Sequence, residues 1–298
     1  MSLVVGSIAF DTIKNIHGKR ERIVGGSSTY YAYAASLFEN PKVVGVVGED
    51  FPEEIIGEMG DRGIDTKGIE TEKGKTFFWE GEYSDDFSER TSLKTELNVF
   101  EHFNPKIPDD YKEEKIVFLA NIAPELQQKV IEQTGKDRYF IMDTMNLWIN
   151  ISREKLMETI KSVNGIIIND EEAKMLTGEH YLFEAAKQIK SLGPEFVLIK
   201  KGEHGSMLYF EDKFFVLPPY PKEVVIDPTG AGDSYAGGFV GFLNNEDKIN
   251  ALSLKKGMVY GTIVSSFTIE DFGIERLRKL KREDVENRLK EYKEMINF

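Results

Sequence analysis

The sequence predicts an α/β fold, a mainly parallel sheet with helices on both faces and a small β addition, and three observations point to it. Short apolar runs alternate with helix-length amphipathic stretches along most of the 298 residues, as repeated strand–helix–strand units require. From Phe196 onward three such runs crowd together, as at a hairpin-bearing sheet edge. Two further stretches, 10–24 and 75–99, are strand-like with no helix between their halves, and belong outside the main sheet. No linker, repeat or low-complexity segment divides the chain, which reads as a single domain over 1–298.

Strands are expected at 3–6, 43–47, 116–120, 139–143, 165–168 and 196–200. There the apolar residues are continuous and often β-branched, as in strands buried on both faces. Helices are expected between them at about 27–39, 52–62, 124–134, 152–163, 170–177 and 181–192. Runs 206–210 and 213–217 form the edge hairpin, and helices at 231–244, 247–267 and 282–296 close the chain. The stretch 10–24 reads as two strands around His17-Gly18-Lys19. The stretch 75–99 sets Phe77, Phe78, Trp79 and Tyr83 among polar residues before an acidic turn at 84–89. Both read as antiparallel ribbons, and in a strand Phe77 and Trp79 share one face, opposite Phe78.

Composition removes several functions. Asp and Glu number 51 against 38 Lys and Arg, a formal net charge of −13, which argues against a nucleic-acid or anionic-membrane surface. Any phosphate must then meet a locally positive pocket. Without cysteine there is no disulfide, thiolate catalysis or cysteine-ligated zinc. His17, His102, His180 and His204 are too scattered for a ligand set. The N-terminus lacks a charged leader and meets Asp11 within its first apolar stretch, so a cytoplasmic protein with no membrane span is expected.

The chemistry concentrates in residues 227–238, Asp-Pro-Thr-Gly-Ala-Gly-Asp-Ser-Tyr-Ala-Gly-Gly. Val224-Val225-Ile226 leads in, and Ala236, Phe239, Val240 and Leu243 then recur at helical spacing. A strand therefore runs into a glycine turn that opens a helix whose first carboxylate is Asp233. Free N–H groups and the positive dipole end at a helix start bind anions, and an aspartate beside them suits proton removal from an attacking hydroxyl. A plain helix-capping acid would need neither Gly-Ala-Gly nor Gly237, Gly238 and Gly241 inside the helix, each costing ~1 kcal/mol relative to alanine. Those glycines imply close backbone packing or a ligand. No Gly-x4-Gly-Lys-Ser/Thr occurs, and a dinucleotide fingerprint fails at Tyr235.

This dodecapeptide closely resembles the C-terminal signature of the ribokinase-like carbohydrate kinases, the PfkB family. The resemblance implies a ribokinase-like fold, Asp233 as catalytic base, and the amides of Gly230, Ala231 and Gly232 as an anion hole for the transferring phosphoryl group. Likeness runs along nearly the whole chain. Residues 4–11, ending in Asp11, resemble the family's first strand and substrate-binding aspartate; a carboxylate can accept from two adjacent sugar hydroxyls. Gly25-Gly26-Ser27-Ser28-Thr29-Tyr30 resembles the N-terminal signature, whose glycine pair lets backbone touch the sugar. Many members have Asn where Tyr30 stands, so a phenol and its aromatic face replace an amide.

Asn169-Asp170-Glu171-Glu172 resembles the Asn-x-x-Glu motif, implying that Asn169 and Glu172 organise Mg²⁺ through water, although an acidic helix start would look the same. Lys200-Lys201-Gly202-Glu203-His204-Gly205 resembles the nucleotide-side turn, with Lys200, Gly202 and Gly205 near ATP, and Gly273 ends a helix that lines the adenine pocket in relatives. Asp227 and Thr229 fall where relatives hold K⁺. The two ribbons match a β lid over the sugar site, through which a homodimer can form. The expectation is an ATP-dependent kinase acting on a hydroxymethyl group of a sugar, ribokinase- or fructokinase-like, with a nucleoside such as adenosine as the second reading. The lid aromatics read first as the lid's own core and second as a platform for a flat ring. A nicotinamide-dependent oxidoreductase and a non-catalytic binding module are remoter.

Overall fold

In the computed structural model, which describes residues 1–297, the apolar runs become strands. In chain order these are β1 (Ser2–Val5), β2 (Ala9–Asn15), β3 (Gly18–Gly25), β4 (Lys42–Gly48), β5 (Asp65–Glu72), β6 (Phe77–Tyr83) and β7 (Arg90–Glu96). They continue with β8 (Ile116–Leu119), β9 (Tyr139–Met142), β10 (Gly165–Asn169), β11 (Phe196–Lys200), β12 (Ser206–Phe210) and β13 (Lys213–Leu217). A nine-stranded sheet runs β13-β12-β11-β10-β9-β8-β1-β4-β5. It is parallel except at the β11–β12 and β12–β13 pairs. The edge strand β5 lies outside the sequence expectations, since its residues are mostly polar and backbone pairing to β4 alone recruits them.

The helices are α1 (Ser27–Ala35), α2 (Glu53–Asp61), α3 (Pro124–Thr134), α4 (Asn146–Ile151), α5 (Arg153–Ile160) and α6 (Asp170–Thr177). After these come α7 (Leu182–Ser191), α8 (Ala231–Leu243), α9 (Ala251–Thr268), α10 (Glu275–Lys279) and α11 (Arg282–Ile296). Alternate residues of one strand serve two cores, as a period of two demands. Val4 and Ile167 pack with Tyr31, Phe239 and Val264 of α1, α8 and α9. Leu3, Val5, Ile166 and Ile168 pack with Val130, Leu156 and Ile189 of α3, α5 and α7 on the opposite face.

The interior glycines of α8 resolve as packing. A Cβ at Gly237 would lie 2.7 Å from that of Ala34 in α1, and one at Gly238 3.0 Å from that of Val264 in α9. Small residues here bring three helices together, and α8 is thereby held rigidly where its first turn meets the sheet.

The remaining strands form a four-stranded sheet in the order β3-β2-β6-β7. The hairpins β2–β3 and β6–β7 are antiparallel. A parallel β2–β6 pairing, which the two-ribbon reading did not include, joins them. Its register sets Asp11 beside Trp79 and Ile13 beside Gly81. Two bonds tie this sheet to the loop before α8: Asn15 Nδ2 donates to the Ile226 carbonyl at 2.9 Å, and the Tyr83 and Thr229 hydroxyls lie 2.9 Å apart. No helix among the described residues is long and apolar enough to cross a membrane.

Candidate active site

Ligand sites in parallel sheets lie at the carboxyl ends of the strands, and three neighbouring ends here carry charge. Asp143 follows β9, Glu172 stands in the first turn of the helix after β10, and Lys200 ends β11. Lys200 Nζ meets Asp143 Oδ2 at 3.1 Å. The other oxygen, Oδ1, accepts the Thr144 N–H at 2.7 Å. Buried Gln127 fixes the ends of β8 and β9 by donating to the carbonyls of Leu119, Ala120 and Asp143 at 3.2, 3.0 and 3.0 Å. Burial pulls the Lys200 ammonium down, but the carboxylates of Asp143, Glu172 and Asp233 outweigh it, and the net shift is upward. Lys200 is therefore a held cation.

The glycine turn lies against this cation. Gly230 has φ 73°, the left-handed region, and a Cβ there would enter the Tyr30 ring; a Cβ at Gly232 would sit 2.9 Å from Lys200 Nζ. Ala231 donates its N–H to the Pro228 carbonyl at 3.2 Å. The N–H groups of Gly230 and Gly232 have no acceptor among the described residues. Two of the three expected amides are thus open to a ligand, and the third is engaged in the turn itself.

Asp233 stands in the first turn of α8, at the floor of the cleft and partly open to water. Burial, reinforced by the charge of Asp143 and opposed by Lys200, pushes its carboxyl up to about 8. On the side of the four-stranded sheet, Asp11 is buried (5% exposed). Burial and then Asp227 push it up to about 7, against the Arg90 charge. A side chain on Gly25 would collide with the Asp11 carboxylate, and one on Gly26, at φ 97°, with the backbone of Ser7, Ile8 and Ala9, so Gly25 leaves the carboxylate its place and Gly26 is committed to backbone packing. Tyr30 is 1% exposed and its hydroxyl has no hydrogen-bond partner among the described residues. Burial, then Asp11 and Asp227, raise that phenol well above its ordinary value, so it stands as a neutral donor.

Other expected residues are engaged differently. Asn169 Oδ1 accepts the Glu172 N–H at 2.7 Å, and Glu172 Oε2 accepts the Asn169 N–H at 2.9 Å. This reciprocal cap occupies the Asn169 oxygen and leaves one Glu172 oxygen outside it. Burial and the Asp143 charge push Glu172 up to about 7. Asp227 accepts the N–H of Thr229 at 2.9 Å and of Gly273 at 3.0 Å. Thr229 Oγ1 meets the Tyr83 hydroxyl, and the two accepted N–H groups account for the burial of Asp227. Gly205 closes its turn against Leu217, whereas Gly202 faces open space.

Sequence reasoning left out Asp143, Tyr83 and Arg90. For Asp143 the signal was present, a carboxylate at the carboxyl end of a parallel strand. For Tyr83 and Arg90 it was absent, because only strand register brings them to the cleft.

Residues 3–277 match the family described as pfkB family carbohydrate kinase. The chain is 31% identical over 245 residues to a cytidine kinase of Thermococcus kodakarensis, covering 80% of this chain and 86% of that one. Its fold is similar to that of a Burkholderia thailandensis nucleoside kinase in complex with inosine, with TM-score 0.82 at 19% identity over 100% of this chain and 99% of that one. It is also similar to an Arabidopsis thaliana ribokinase complexed with ribose and ATP, with TM-score 0.78 at 22% identity over 97% and 98% of the two chains. A match of nearly full length on a fold of the same architecture leads to one conclusion: the chain belongs to the pfkB family of carbohydrate kinases, which are ATP-dependent.

Proposed function

We propose that this chain transfers the γ-phosphoryl group of ATP to a hydroxymethyl group on a sugar ring, with Asp233 as general base. The observation that carries the reading is the junction at the start of α8. There a carboxylate pushed up to about 8 adjoins two unbonded glycine amides and a held lysine. A base works best with a pKa near the operating pH, and fixed N–H donors stabilise charge that develops on phosphoryl oxygens.

Each remaining residue has a place in this reading. Asp11 accepts from two sugar hydroxyls, the Tyr30 hydroxyl donates to a third polar group, and Gly25 keeps the backbone close to the ring. Asp233 takes the proton of the attacking hydroxyl. The amides of Gly230 and Gly232, with Lys200, offset the charge of the transferring group. The turn from Lys200 to Gly205 and the Gly273 loop flank the nucleotide. Glu172 suits Mg²⁺, because it retains one free carboxylate oxygen and magnesium takes its other ligands from phosphate and water. An ion held there would offset phosphate charge. The four-stranded sheet serves as a lid on a single kinase domain spanning 1–298.

A free sugar and a nucleoside share this reaction centre, and one observation favours the second. Trp79 lies beside Asp11 on the same face of the small sheet, half-buried, with its N–H donated to Ser92 at 3.0 Å. Phe77, by contrast, stacks on Phe100 with centroids 5.3 Å apart and is committed to packing. Trp79 also packs with Ile13, Ile23 and Tyr83, the lid's own small core.

The deciding experiment is kcat/KM with ATP for ribose, fructose, adenosine, inosine and cytidine, in the wild type and in Trp79→Ala. A nucleoside preference that collapses in the variant places a base on Trp79. Free-sugar activity with a modest loss leaves Trp79 to the lid core. Phosphate transfer to none of the five would overturn the proposal.

A further inference from the structure

The peptide that joins Thr229 to Gly230 carries one of the two unbonded amides of the glycine turn. That peptide is planar, so the Gly230 N–H is aimed by ψ of Thr229 and φ of Gly230. Gly230 stands at φ 73°, and a glycine leaves such a region at little steric cost. The amide keeps its aim only if neighbouring groups hold the peptide. On the glycine side the Tyr30 ring limits movement, since a Cβ at Gly230 would enter it. On the threonine side the backbone N–H is held by Asp227 Oδ1 at 2.9 Å. The Thr229 side chain has a partner of its own, and it comes from the four-stranded sheet.

Tyr83 ends β6 with its ring in the small core of that sheet, among Ile13, Phe87 and Phe272. It is 9% exposed, and a phenol so buried needs a partner for its hydroxyl. The hydroxyl lies 2.9 Å from Thr229 Oγ1, across 146 residues of chain. Threonine is β-branched and stiff at χ1, so a bond at Oγ1 restrains the backbone that bears it. Phenylalanine would fill the same core; what the hydroxyl adds is a bond to the turn. Residues 218–230 form neither strand nor helix, so bonds of this kind hold them in place. Just before Asp227, the Ile226 carbonyl accepts from Asn15 Nδ2 at 2.9 Å, and its N–H donates to the Ile269 carbonyl at 2.8 Å.

We propose that Tyr83 is a positioning residue for phosphoryl transfer, acting through Thr229 to hold the Gly230 N–H toward the transferring group. The four-stranded sheet thereby shapes the phosphate end of the cleft as well as the acceptor end. The inference rests on the kinase reading above and adds a residue to it.

Arg90 of β7 stands directly opposite Tyr83, so the variant must keep the ring and leave that neighbour in place. Tyr83→Phe, Thr229→Val and the double variant are compared with the wild type in single-turnover transfer from ATP to the best acceptor of the panel. Loss of one neutral hydrogen bond corresponds to about 3–10-fold in rate. Each single variant should slow transfer by about that factor, with the affinities for ATP and acceptor little changed. The double variant should lose no more than either single one, because both remove the same bond. Thr229→Ser, which keeps the oxygen, should lose less than Thr229→Val. An unchanged transfer rate in Tyr83→Phe, a change confined to acceptor affinity, or losses that multiply in the double variant would each overturn the proposal and leave the kinase reading intact. Absence of phosphate transfer by the wild type would overturn both.

Discussion

At the carboxyl edge of the large sheet, Asp143 pairs with Lys200, Asn169 and Glu172 cap one another, and a buried glutamine braces the Asp143 carbonyl. The inner face of the four-stranded sheet meets the same cleft with half-buried or exposed groups, Trp79 and Arg90, and is tied to the loop before α8 at Asn15 and Tyr83. The difference follows from what each end must do. Phosphoryl transfer needs donors and charges fixed before the reaction begins. An acceptor must enter, be covered and leave, which calls for an element of lower local stability. On the proposed reading, the first region sets the reaction and the second the acceptor.

Lys200→Met strikes the rigid end and should have the larger effect, lowering kcat by about 10²–10³-fold through loss of a fixed charge beside the phosphoryl group. It also strands Asp143 as a buried unpaired carboxylate, so the melting temperature should fall. Adding Asp143→Asn should recover stability without recovering the rate. Recovery of both would reduce the lysine to a structural partner. Against this, the Trp79→Ala comparison at the lid should change acceptor preference far more than the fate of a bound phosphate.

A smaller effect separates the regions by pH. Asp11 and Asp233, with ordinary values of 3.8, are pushed up to about 7 and about 8. Each binds its proton more tightly in the folded chain than in the unfolded one. Their contribution to stability is therefore complete below the unfolded value and is lost as pH rises through the folded ones. The melting temperature of the ligand-free protein should fall between about pH 5 and pH 9, and Asp233→Asn should flatten part of that fall. Calorimetry across the range checks it; a rise with pH in this interval would mean the two carboxyls do not hold their protons as described.

Legibility in the sequence divides along the same line. Turn and helix start lie within twelve residues at 227–238, so the proposed phosphate end, Asp233 included, could be read locally, whereas the strand expected at 224–226 is irregular loop, its backbone unpaired with any strand. The interior glycines of α8 announced close contact, but only the fold shows that α1 and α9, and not a ligand, fill it. Asp143 and Lys200 are 57 residues apart, and their bond depends on strand order. At the lid the limit is sharper. Nothing in Arg-Thr-Ser-Leu-Lys-Thr-Glu distinguishes Arg90 from a solvated charge, and a one-residue slip of β7 would turn it to the outer face. The parallel β2–β6 pairing, which sets Trp79 beside Asp11, is likewise a product of tertiary register.

The most direct test of Asp233 as the base is kcat/KM for the acceptor against pH, measured in the wild type and in Asp233→Asn. That quantity reports ionisations of the free enzyme. The wild-type profile should climb on the acid side and level off near the value of about 8 to which Asp233 is pushed. In Asp233→Asn the rate should fall by about 10²–10⁴-fold and the residual activity should lose that limb, although Asp11 and Glu172 still titrate near neutrality. A variant that keeps the same acid limb, or turns over at nearly the wild-type rate, would contradict the role of Asp233.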